Sequence, residues 1–325
     1  MMYQHRQSIL MECPIELVSD ERESDSMKKE VYKPLNLRQR NIRKLGTALI
    51  APIVIYLLVV MVYPFCWAIF VSLTDKKVGT QGSFIGLSNY IDLFKDSLLW
   101  KSVLNTGIFA IGAVTLKVVF GMIMALILNE KIVCRNVNRA LLMLPWTIPT
   151  IVSVLIWQWI FSDVSGVMNF LLMKLNLTDA PIGFFAKREL AMGVVILVNA
   201  WRGAPFVGIS VLAGLQCIDE TMYEAARIDG ANAWKRFCNV TLPMVKNVTI
   251  LAAIVTTVWT LSDFEIVWML TKGGPSNGTQ LLSTLSYTYG FMNMDLGKAL
   301  AIALVSFPPL ALLVHFSTKR MLEQS

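Results

Sequence analysis

Asn199, Arg202, Thr256, Thr257, Thr260, Asp263 and Glu265 are polar or charged residues set inside long apolar runs, and Lys117 stands alone in another. Polar side chains at membrane depth are costly and are functional candidates by default. Two arrangements fit these residue types. Arg202 with Asp263 or Glu265 makes an internal ion pair that locks two helices, with Lys117 as a further partner or a snorkelling side chain. Alternatively, Asn199, Thr260 and Asp263 join the ring faces of Trp201, Phe206 and Trp259. Aromatic faces with hydrogen-bonding groups beside them are what binds a sugar, and pockets between helices are where such sites lie. Both arrangements are noncovalent.

The elements that must carry these residues follow from composition. The chain has 325 residues, 55% hydrophobic and only 16% charged, whereas soluble domains are nearer a quarter charged. Six apolar runs stand at about 46–72, 105–129, 139–161, 190–214, 244–270 and 297–317. Each is long enough for a helix crossing a ~30 Å hydrocarbon core, and in lipid such runs fold as helices. The expected fold is all-α, a polytopic membrane protein of six transmembrane helices. Residues 1–44 form a polar N-terminal tail, 45–320 the membrane domain and 321–325 a short C-terminal tail. The first apolar run is too long for a signal-peptide core.

Nine of the 29 basic residues precede Gly46, which places the N-terminus in the cytoplasm. Six spans return the C-terminus to the same side, in a cytoplasmic (inner) membrane of bacterial type. The net charge of +7 reads as this orientation signal rather than as a nucleic-acid surface, since no aromatic-rich basic module accompanies it. The outer segments 82–94 and 175–185 mix turn formers with apolar residues and suit short interfacial helices.

Catalytic motifs are missing. Gly297-Lys298-Ala299 lacks the glycine and the Ser/Thr of a phosphate-binding loop. No GxSxG, HExxH or paired carboxylates occur, and His5 and His315 are isolated. Cys13, Cys66, Cys134, Cys217 and Cys238 are scattered, with no metal-ligand spacing. No enzyme activity, metal site or cofactor is expected.

The stretch 217–243 is polar, on the expected cytoplasmic side. Asp219 or Thr221 suits an N-cap. Ala225 and Ala226 favour helix and present a small surface, Gly230 suits a left-handed stop, and 232–240 reads as a second short helix. Alanines beside a lone Glu224 make a poor lipid-binding face and a good docking knob.

Glu224-Ala225-Ala226, Gly230, Val240 and Leu242-Pro243, at their spacing, resemble the EAA loop of ATP-binding-cassette importer permeases, with Val240 where that family has Ile. Thr271, Gly273, Gly274, Pro275, Thr279 and Leu296-Gly297 resemble the carbohydrate-type members, as does "WRGAPF" at 201–206. The resemblance covers roughly residues 45–320. It implies a non-catalytic permease beside a second, homologous permease. Two cytoplasmic ATPase subunits would bind ATP and Mg, and an extracytoplasmic binding protein would deliver the substrate. Glu224, Ala225, Ala226, Asp229, Gly230, Leu242 and Pro243 would couple to the ATPase, and transport would proceed by alternating access. Counting from the motifs of maltose-type permeases puts substrate contacts at Asn199, Arg202, Gly203, Phe206, Thr256, Trp259, Thr260 and Asp263. Arg202 and Asp263 depart from that pattern and point away from maltose itself. The expected cargo is a sugar or oligosaccharide, with a polyol or glycerol phosphate as the alternative. A stand-alone ion-coupled carrier using Asp263 as an ion site is the rival that the EAA pattern opposes.

Overall fold

An apolar helix satisfies its own backbone in lipid, and prolines mark some of the places where these helices deviate. The computed structural model describes residues 37–130 and 134–322. Most of the expected N-terminal tail, with Cys13 and His5, and the last three residues lie outside the described residues, as does Lys131. The chain divides into two units, Met1–Pro64 and Phe65–Ser325.

The first unit contains α1 (Leu37–Leu57) and a π turn, Leu58–Val62. The Tyr63 N–H donates to the Leu58 carbonyl across that turn. A proline ring clashes with the carbonyl four residues back, and the wider turn just before Pro64 removes that register. Helix continues as α2 (Tyr63–Ser72), so Lys44–Ser72 is 29 continuous residues, enough to span.

In the second unit come α3 (Ser88–Lys95), α4 (Ser97–Asn129), α5 (Arg135–Thr147), α6 (Thr150–Ile160), α7 (Val167–Lys174) and α8 (Arg188–Leu215). These are followed by α9 (Glu220–Ile228), α10 (Ala233–Arg236), α11 (Leu242–Leu261), α12 (Glu265–Thr271), α13 (Leu282–Tyr287) and α14 (Leu296–Leu322). Asp96 opens α4 by accepting from the Leu98 N–H at 2.8 Å. Four helices among the described residues are individually long and apolar enough to cross a membrane.

Two of the expected spans, the third and the fifth, differ. The third run is not one helix: α5 and α6 meet at 90°. A residue before proline avoids helical geometry, and Ile148 before Pro149 is extended. The fifth run, expected to reach residue 270, stops at Leu261 and restarts at Glu265. The sixth forms as one helix of 27 residues, Leu296–Leu322, which covers the expected run. A short helix does form in the first outer segment, as α3; in the second, residues 175–185 form turns, and the short helix α7 lies just before it.

Glycines let α4 and α8 approach closely. A Cβ on Gly121 would stand 2.7 Å from the Val207 side chain and 2.9 Å from the Gly208 nitrogen. Along this seam Phe109, Val195 and Ile266 form one buried cluster, and Ala125, Val207 and Val245 another. At the end of the bundle away from the EAA-like loop, the residues of the Thr-x-Gly-Gly-Pro motif are tied down. Thr279 Oγ1 donates to the Gly274 carbonyl at 2.7 Å, and Asn105 Nδ2 donates to the Asn277 and Gln280 carbonyls at 3.1 Å. Gly297 packs against the Thr74 carbonyl, 2.2 Å from where its Cβ would be, and its N–H donates to Lys76. The Leu-Gly of the motif is thus a close backbone crossing.

Gly121→Leu should lower the melting temperature of the detergent-solubilised protein, because overpacking a tight seam costs about 1–3 kcal/mol. Gly193→Ala, where a Cβ meets nothing within 4 Å, should leave it unchanged or slightly raised.

Candidate functional site

The break in the fifth span builds the site. Between α11 and α12 stand Ser262, Asp263 and Phe264. One Asp263 carboxylate oxygen accepts from the Ile266 N–H at 3.2 Å, satisfying an open donor of α12's first turn. The other accepts from Asn199 Nδ2 of α8 at 2.6 Å. Ser283 Oγ donates to the Asp263 carbonyl at 2.8 Å. Backbone that is irregular at membrane depth is tolerated where it lines a cavity, and here it does.

That cavity holds about 450 Å³. α4 contributes Lys117, and the bend between α5 and α6 contributes Trp146 and Thr150. α8 adds Asn199, Arg202 and Gly203, and α11 adds Thr256 and Trp259. The break adds Ser262, Asp263 and Phe264, followed by Glu265 and Ile266. Six of the eight expected contact positions therefore share one space. Phe206 stands behind the wall, its ring 4.7 Å from Trp259 and 5.8 Å from Trp146. Thr260 is also behind it, buried, accepting from Lys117 Nζ at 2.8 Å and donating to the Thr256 carbonyl. Trp201 packs edge-on against Trp157 and is not a lining residue. Thr257 donates to the Ala253 carbonyl.

Of the two arrangements open in the sequence, the ion pair of Arg202 with Asp263 or Glu265 does not form. Among the described residues the ion pair within 4 Å is Lys298–Asp92, outside the site. Asp263 is engaged by neutral Asn199 instead, and Lys117 by neutral Thr260. Gly203 has a specific reason to be glycine: its Cβ would lie 2.4 Å from Lys117 Cε. Two polar atoms at the cavity, Asn199 Oδ1 and Arg202 Nε, are buried without a hydrogen-bond partner. Such an atom costs about 1–3 kcal/mol. The site therefore combines indole and phenyl faces with hydrogen-bonding side chains and balanced, unpaired charges.

Sequence reasoning missed Trp146, Thr150 and Phe264. The proline at 149, which interrupts the third run, was the available signal for the first two.

The EAA-like loop forms as expected in its first half. Asp219, not Thr221, is the N-cap: it accepts from the Thr221 N–H at 3.0 Å. That bond holds its carboxyl below the usual carboxylate range, so the cap persists at neutral pH and is lost only as pH falls through that lowered value. Gly230 ends the helix at φ +75°. The Ala231 N–H donates to Ala226 and the Gly230 N–H to Arg227, the paired bonds of a Schellman stop. Glu224, Ala225, Asp229 and Gly230 are exposed, with Ala226 half-buried and Leu242 and Pro243 exposed. Ile228 and Trp234 lie open at 86% and 71%. The expected second helix is instead the start of the fifth span. α10 passes through a π turn, Phe237–Thr241, into α11, giving 29 continuous residues from Ala233 to Leu261. Pro243 follows that turn as Pro64 follows its own. Tyr223 OH and Thr241 Oγ1, 3.1 Å apart, tie α9 to the base of this helix.

Residues 117–321 match the family described as the inner membrane component of binding-protein-dependent transport systems, and the chain belongs to that family of ABC transporter permeases. It is a multi-pass inner membrane protein. It is 34% identical over 265 residues to the trehalose/maltose transport system permease protein MalF of Thermococcus litoralis, spanning 81% of this chain and 89% of that one. It is 32% identical over 267 residues to the sulfoquinovosyl glycerol transport system permease protein SmoG of Agrobacterium fabrum, spanning 82% and 86%. The crystal structure of a bacterial ABC transporter involved in the import of alginate shares the fold, with a TM-score of 0.73 at 21% identity over 93% of this chain and 99% of that one.

Asn199→Leu and Asp263→Leu should each lower the melting temperature, and the double variant should lose less than their sum. A coupling energy of about 0.5–3 kcal/mol from that cycle checks the bond.

Proposed function

We propose that this chain is the permease subunit of an importer that moves a sugar or oligosaccharide by alternating access, with the central cavity as its transient site. The observation that carries this reading is the convergence of Trp146, Trp259, Asn199, Arg202 and Asp263, from three helices and a break, on one cavity of about 450 Å³. Ring faces beside open hydrogen-bonding groups suit a polyhydroxylated ring better than an ion or an apolar solute. Relatives at 34% and 32% identity are named for transport of trehalose/maltose and of sulfoquinovosyl glycerol, which supports the same class.

On this reading both termini are cytoplasmic and the Asp219–Pro243 loop faces the cytoplasm. There the exposed Glu224, Ala225 and Asp229 dock into a groove of a partner ATPase, whose subunits bind ATP and Mg. The chain itself performs no chemistry and holds no cofactor. A second, homologous permease completes the pathway, and an external binding protein delivers the cargo.

Two measurements test it. The sugar-loaded binding protein should stimulate ATP hydrolysis by the assembled complex, whereas the glycerol-phosphate-loaded protein should not; the reverse result would transfer the cargo to the polyol phosphates. Glu224→Lys should cut that stimulation roughly tenfold or more without preventing insertion, because a misplaced charge at an interface costs several kcal/mol. Full stimulation in this variant would remove the loop from the coupling role.

A further inference from the structure

We propose that a ladder of four aromatic rings, Phe264, Trp268, Tyr287 and Phe291, is a track along which glycosyl units approach the cavity. The inference rests on the carbohydrate reading above and adds the route by which cargo reaches the site.

Phe264 lines the cavity beside Trp146 and Trp259. From it the rings follow without a gap. Phe264 lies 5.7 Å from Trp268 and 4.7 Å from Tyr287, and Trp268 lies 4.6 Å from Tyr287. Tyr287 then stacks on Phe291 at 4.8 Å, with planes 24° apart. The spacing is built by sequence: Phe264 with Trp268, and Tyr287 with Phe291, are four residues apart and share a helical face. The Ser283 Oγ bond to the Asp263 carbonyl holds the two segments together at the cavity end.

Exposure rises outward. Trp268 and Tyr287 are half-buried and Phe291 is 65% exposed. A purely structural cluster would close around its largest rings; this one opens. The Trp268 indole N–H and the Tyr287 hydroxyl make no hydrogen bond among the described residues, and neither is among the buried unpartnered atoms, so both remain accessible. A sugar has an apolar ring face for the rings and hydroxyls for these two groups. The ladder also lies at the correct end. α11 runs from the EAA-like loop to the break, so Phe264 and everything beyond it lie on the side of the cavity away from that loop, where an importer's cargo enters. Several similar, weak stops in series allow passage where one strong site would trap the cargo.

The test uses the assembled importer in proteoliposomes with its binding protein. The probe is whichever of trehalose, maltose or maltotriose raises that binding protein's melting temperature. Phe291→Leu keeps bulk and apolarity but removes the ring face. It should lower sugar uptake per ATP hydrolysed roughly three- to tenfold, while Phe291→Tyr stays within about twofold of wild type, as expected for loss or retention of one aromatic contact. Wild-type uptake in Phe291→Leu overturns the track. So does loss of one permease from the Phe291→Leu complex on gel filtration, since the ring would then belong to a subunit interface. If no sugar of the three shifts the binding protein or stimulates wild-type ATPase, the carbohydrate reading itself fails, and the track fails with it.

Discussion

The Asp263 carboxylate holds the molecule's main irregularity in place. A helix interrupted at membrane depth leaves backbone donors and acceptors without partners, and each unsatisfied group costs several kcal/mol in hydrocarbon. Asp263 meets that cost from both sides. Its side chain takes one N–H of the new helix and one amide of α8, and its carbonyl takes the Ser283 hydroxyl. Without this set the fifth run would have reason to continue as a straight helix, and there would be no cavity beside it. The direction of α12, and with it the placement of the Gly-Gly-Pro turn, follows from the same three bonds.

Around that break the molecule separates what is locked from what is open. The α4–α8 seam is close-packed through Gly121 and Gly208, and Lys117 is laid flat across Gly203. The cavity lined by these same helices keeps four charged residues, Lys117, Arg202, Asp263 and Glu265, with no ion pair among them. A closed salt bridge here would be a stable plug. Neutral partners, Thr260 for the lysine and Asn199 for the aspartate, hold two of the charges in place without cancelling them.

The all-α membrane architecture was legible because apolar runs longer than 20 residues in lipid have one solution. The first half of the EAA-like loop was legible because caps and left-handed glycines are local signals: Asp219 and Gly230 need only their neighbours. The α5–α6 bend and the end of α11 at Leu261 were not read, although Pro149 and Ser262-Asp263 mark both places. Apolar runs on either side of each look continuous to a hydropathy count. Whether Arg202 pairs with Asp263 could not be read at all. It depends on which face of α8 meets the break, and Asn199, three residues earlier, reaches the carboxylate first. The π turns before Pro64 and Pro243 were equally hidden, since the proline is visible but the extra residue that accommodates it is a property of the folded backbone.

The continuity of Ala233–Leu261 has a mechanical consequence. Because the helix passes through its π turn without stopping, Trp234, Lys235 and Thr260 ride on one rod. At 1.5 Å per residue it is roughly 44 Å long, so a tilt of about 5° about one end displaces the other by roughly 4 Å. A small tilt set at the exposed end is therefore converted into a displacement of several ångströms at the residues that flank Asp263.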